Sequence, residues 1–156
     1  MNSPKQDRQK GAAVIEGALI FIPLILLILG MTDFVLGLWV KNTLQFSVRE
    51  ACRYAVTGQT QGGNGQVGSI QQAAQSNSMG LITAKAQVTV RFFDRAGRGE
   101  VTGAGSNAPG NVVQVSIDAY RWRWIIGGVF GLPAMSVRTS ASDILEPTAN
   151  GIPPAL

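Results

Sequence analysis

Histidine is absent from this chain of 156 residues. That removes imidazole general bases, Ser-His-Asp triads and histidine metal sites. Cysteine occurs once, as Cys52, so no internal disulfide can form. Charge is scarce at 14% of residues, and the net charge of +4 is spread thinly with no long Lys/Arg block, which argues against nucleic-acid binding. The later acidic residues (Asp94, Glu100, Asp118, Asp143 and Glu146) show no tight spacing. The Gly-rich stretch 58–68 lacks the strand-GxxxxGK[ST]-helix context of a phosphate loop. No internal repeat is present. These absences predict a protein that is not an enzyme, carries no cofactor and no metal, and takes neither nucleic acid nor a small-molecule substrate.

What the chain does have is apolar length near its N-terminus. A polar, basic leader, residues 1–10, ends at Gly11, and Ala12-Ala13-Val14-Ile15-Glu16 follows. From Gly17 to Thr32 there is no charged residue. A lone carboxylate at the lip of such a run is costly, which marks Glu16 as functional. Residues 17–40 carry one charge, Asp33, and exceed the roughly 20 apolar residues that cross a bilayer. The run is too long for a signal-peptide h-region and no A-x-A pattern follows it. Lys5, Arg8 and Lys10 precede it and only Lys41 begins the far side. The positive-inside rule therefore predicts a cytoplasmic leader with the residues after about 40 outside.

Within the span, Pro23 removes one helical hydrogen bond and is a site for a kink. Gly30 and Gly37 lie on nearly one face; they are either tolerated filler or a place for another helix to approach. Asp33 stands roughly 25 Å beyond Gly17 along a helix axis, at the outer headgroups. There it is either hydrated or paired with a charge on another subunit.

Helical spacing continues past the span: Leu44, Val48, Ala51/Cys52 and Ala55 form a stripe, with Gly58 as the stop. One helix over 12–57 would be about 69 Å long at 1.5 Å per residue. Cys52 on that stripe reads as a small core residue rather than a reactive thiol. Residues 69–77 read as a short helix with Ser69 as N-cap. Residues 84–93 alternate, with Ala86, Val88, Val90 and Phe92 inward, as a strand does. A long polar loop is expected over 94–111. A second strand covers 112–124, with Val113, Val115, Ile117 and Ala119 inward. Residues 125–135 are apolar but too short to span, 136–145 make a weaker third strand, and the proline-bearing tail from Glu146 is irregular.

The expected class is α+β: a long N-terminal transmembrane helix, a short helix and a small antiparallel β-sheet domain. The divisions are a leader at 1–11, a transmembrane and assembly helix at 12–57, and a periplasmic α+β domain at 58–156. Tyr120, Arg121, Trp122, Arg123 and Trp124 alternate aromatic and basic. They suit a membrane interface or a protein contact, or the rings simply roof the core.

The run Lys10-Gly11-Ala12-Ala13-Val14-Ile15-Glu16 resembles a type IV prepilin processing site, which implies cleavage after Gly11 and Glu16 as the fifth mature residue. The longer stretch through Pro23, Gly30-Met31-Thr32-Asp33 and Arg49-Glu50-Ala51-Cys52-Arg53-Tyr54-Ala55 is similar to the TadE-like proteins, pilin-like minor components of tight-adherence (Flp, type IVc) pilus systems. Gly17 stands where several processed members carry tyrosine. The resemblance implies a minor pilin or pilin-like assembly component anchored in the bacterial inner membrane and able to enter the extracellular pilus. Its expected partners are other pilin-like subunits, the pilus assembly platform, a prepilin peptidase and membrane lipid. After cleavage, the Ala12 amine of one subunit could pair with Glu16 of a neighbour and set axial register, since either charge alone in lipid is unfavourable. Otherwise Glu16 is an interfacial charge. The competing function is a bitopic anchor whose periplasmic domain binds a ligand or stabilises another envelope complex.

Overall fold

The computed structural model describes residues 4–97, 99–148 and 153–156, with the backbone alone for 4–10. Met1–Ser3 of the expected leader lie outside the described residues. Helix α1, Pro4–Val56, runs for 53 residues and passes through Pro23 without a break. Its end is fixed by Gly58. The residue adopts φ +63°, and an added Cβ would stand 2.5 Å from the Thr148 side chain, so the αL stop requires glycine here. Thr57 Oγ1 donates to the Tyr54 carbonyl at 2.8 Å, taking up one of the orphan acceptors of the last turn.

The helix has two environments. From Val40 onward, Val40, Leu44, Val48, Ala51, Cys52 and Ala55 are buried. Their three-to-four spacing makes one apolar stripe against the domain. Before it, side chains from Val14 to Leu38 are apolar and largely exposed, and the most hydrophobic window has none of its residues buried.

Helix α2 is Gly65–Ser76 and packs Ile70 and Ala74 into the core. It begins earlier than expected and Ser69 is not its cap. Asn64 holds the N-cap position, but its amide bonds the Gln72 side chain instead. Ser69 Oγ sits inside the helix, donating to the Gly65 carbonyl at 2.6 Å and accepting from Gln61 N. The first turn gains its acceptor from a distant place: Gln66 N donates to the Ala155 carbonyl at 2.7 Å. The buried Gln66 side chain also donates to the Ala55 carbonyl and accepts from Asn107, which in turn donates to the Pro154 carbonyl. This polar junction ties α1, α2, the long loop and the tail together.

Strand β1 is Thr89–Phe93, shorter than expected, because Lys85–Gln87 form a 3-10 turn. The Gln87 carboxamide oxygen accepts from Thr83 N and Ala84 N and holds the backbone out of the strand, leaving Ala86 exposed. Strands β2, Val112–Trp122, and β3, Met135–Ile144, complete an antiparallel sheet in the order β1-β2-β3. This is the α+β class expected.

The register of β2 shifts once. Ile117 opposes Thr139 while Tyr120 opposes Val137, so β2 carries one more residue than β3 across that step. Such a bulge reverses the alternation. Val113, Val115 and Ile117 face the core as expected, but Ala119 is exposed, and Tyr120 and Trp122 turn inward against the core.

Candidate functional site

The residues of the processing stretch lie on open helix surface. An added Cβ at Gly11 would meet nothing within 4 Å. Ala12 and Glu16 are exposed. Among the described residues Glu16 makes no hydrogen bond or ion pair.

Asp33 has a different setting. It is 5% exposed although it stands within the apolar run. Its Oδ1 accepts from Ile125 N at 2.8 Å, and its Oδ2 accepts from Ile126 N at 2.8 Å and Gly127 N at 2.9 Å. Three successive backbone donors converge on one carboxylate, a nest for an anion. Bonds from N–H to an ionised acceptor are about twice as strong as neutral ones. The expectation of a hydrated Asp33 is therefore corrected: its oxygens are taken up within the chain. The same contact fixes the β2–β3 connection to the C-terminal part of the apolar run of α1.

Gly37 belongs to this junction. A Cβ there would stand 3.5 Å from Trp124 Cζ3, 3.7 Å from Met135 Cε and 3.7 Å from Trp122 Nε1. The closeness that glycine permits on this face thus serves the chain's own tryptophans. Gly30, about two turns earlier on the same face, has nothing within 4 Å and opens onto a cavity of about 390 Å³. Leu26, Phe34, Ile126, Phe130 and Leu132 line that cavity together with Asp33 and Trp124.

The aromatic and basic residues separate by face. Tyr120 and Trp122 pack against the core, Trp124 is half-buried over Gly37, and Arg121 and Arg123 are exposed. Two of the three rings, Tyr120 and Trp122, roof the core, while Trp124 covers Gly37 and the arginines remain outside. The partner of Asp33 was the feature that sequence reasoning missed. The two ends of that contact lie 92 to 94 residues apart. The available signal was a carboxylate in one apolar run and an apolar, Gly-rich run elsewhere in the chain.

Cys52 is 3% exposed, with Sγ 4.0 Å from the Val113 carbonyl. Burial, and secondarily the charge of Asp143, push its thiol up to about 11. A thiol so protonated is a packing residue. Among the described residues no three His, Cys, Asp or Glu gather closely enough to hold a metal ion.

The family model of TadE-like proteins matches residues 11–53. This segment is TadE-like. The match runs from Gly11 to Arg53 and so includes Ala12, Glu16, Asp33 and most of the buried stripe. No curated protein and no solved structure matched the chain. The TadE-like segment coincides with a helix whose most apolar 18-residue window has a mean hydropathy of 2.7, long and apolar enough to cross a membrane. The family match and the apolar helix thus fall on the same stretch of chain.

Proposed function

We propose that the chain is a minor pilin, or a pilin-like assembly component, of a tight-adherence (Flp, type IVc) pilus. The observation that carries this reading is the TadE-like segment lying on a helix whose apolar surface from Val14 to Leu38 is left uncovered by its own domain. A surface of that kind is built for lipid or for the helices of other subunits. The basic leader stays in the cytoplasm and the domain from about Lys41 lies in the periplasm. A prepilin peptidase cleaves after Gly11, and the Ala12 amine of one subunit pairs with Glu16 of the next. Other pilin-like subunits and the assembly platform are the partners. The role is structural and involves no catalysis.

Glu16→Gln tests the pairing. A neutral amide inserts into lipid more easily than a charge, so membrane levels should hold. Surface piliation and co-purification of other pilus components should be lost, because the neighbouring amine has no counter-charge. Glu16→Asp should be intermediate. Normal piliation in Glu16→Gln would remove the pairing mechanism.

A further inference from the structure

We propose that the β2–β3 connection, residues 125–132, is seated in the outer leaflet of the same membrane that α1 crosses, as a second and non-spanning attachment of the domain. The inference rests on the reading of residues 17–40 as a membrane span.

Height comes first. Asp33 lies inside the apolar run and holds the amides of Ile125, Ile126 and Gly127. The connection is thus fixed beside the span, below its outer end at Val40. From Trp124 to Val137 the chain has no charged residue, as a segment at that depth requires.

Four of its apolar side chains are largely exposed, and Phe130 and Leu132 also line the cavity against α1. Ile125 is 58% exposed, Val129 80%, Phe130 64% and Leu132 57%. They continue the apolar surface of the helix, where Leu26, Leu27, Met31 and Phe34 are also exposed. In water this joint surface would be a liability, while in lipid it is favourable.

The backbone gives the most specific argument. Irregular chain is excluded from hydrocarbon unless its polar groups are satisfied internally. Asp33 accepts from the first three amides of the connection. Val129 N donates to the Ile126 carbonyl, Phe130 N and Leu132 N to the Gly127 carbonyl, and Gly131 N to the Gly128 carbonyl. Only Gly128 among residues 125–132 has no such bond, and Pro133 has no N–H to satisfy. Seven of the eight N–H groups of residues 125–132 are thus donated within the chain, and the carbonyls of Ile126, Gly127 and Gly128 accept.

The flank fits the interface. The half-buried Trp124 enters the connection from the domain side, at the level where indole rings concentrate. Arg121 and Arg123, just before it in the chain, are exposed and available to the phosphates of lipid headgroups. The partner is therefore a phospholipid leaflet, with acyl chains against Val129 and Phe130.

The test uses the full chain in nanodiscs, with a polarity-sensitive dye on Val129→Cys, Leu27→Cys or Thr60→Cys in turn. Buried Cys52 leaves the wild type as an unlabelled baseline. Lipids brominated along their acyl chains serve as quencher. Dyes at positions 27 and 129 should shift to shorter wavelength and lose most of their emission, while the dye at 60, beyond the far end of α1, keeps its own. Quenching at 27 without quenching at 129 overturns the inference and leaves the span intact. That outcome includes a dye at 129 shielded by a second subunit rather than by lipid. Quenching at neither position removes the span reading, and the inference with it.

Discussion

The two halves of α1 are made from similar residue types and bury them differently. Before Leu38 the apolar side chains go all the way round and the domain leaves them uncovered. From Val40 to Ala55 they keep to one stripe, and that stripe is buried under α2 and the sheet. The difference lies in where polar residues interrupt the pattern. Lys41, Arg49 and Arg53 occupy the open side of the second half, and nothing comparable divides the first. One continuous helix therefore addresses two solvents, and Asp33 with Gly37 marks the joint. There the domain reaches back along the helix and ties itself to the apolar half.

The comparison breaks most visibly at paired leucines. Leu44 is fully buried in the stripe, so Leu44→Ala should cost about 2–5 kcal/mol of domain stability. Leu27 is 59% exposed in the uncovered half, and Leu27→Ala should leave the domain's unfolding midpoint almost unchanged. Denaturant titration of the detergent-solubilised protein measures both. Equal losses would mean that the two halves are not distinct environments.

The joint itself is probed through Asp33. Asp33→Ala removes the acceptor of three adjacent amides. Hydrogen exchange at Ile125, Ile126 and Gly127 should accelerate by more than about tenfold, as these donors lose their acceptor and the local closure with it. Exchange in the core strands at Val113 and Val115 should change far less. Asp33→Asn, which keeps the shape but loses the charge, should fall between.

The covered half also predicts a pH dependence. The Cys52 thiol stands at about 11 in the folded protein, above its ordinary value of 9.0. A raised pKa means that folding favours the protonated form. The associated stability is fully present below pH 9 and is lost as pH rises towards 11, by about 2 kcal/mol. The wild type should lose more stability than Cys52→Ala over that interval. Parallel loss in both would show that the thiol contributes nothing.

Local pattern carried the reading of α1, because a stripe at three-to-four spacing and an unbroken apolar run are properties of adjacent residues. The inward faces of β1 and β2 were legible for the same reason, through Val90, Phe92, Val113, Val115 and Ile117. Where distant residues intervene, pattern fails. The start of α2 depends on the Ala155 carbonyl, and no window around Ser69 contains that information. The extra residue between Ile117 and Tyr120 is visible only against β3, so Ala119 was placed on the wrong face. The 3-10 turn before β1 depends on a single side chain, that of Gln87, competing with the ladder. At the candidate site, Gly11, Ala12 and Glu16 announce themselves by spacing. The closure of Asp33 by residues 125–127 does not, since it joins two segments that are remote in the chain.

The central claim is that the uncovered half of α1 is the mature N-terminus of a pilin-like subunit. N-terminal sequencing of the membrane-extracted protein, from cells with an active prepilin peptidase, tests it most directly. The account predicts a chain that begins at Ala12, and a chain that still begins at Met1 or Asn2 would contradict it.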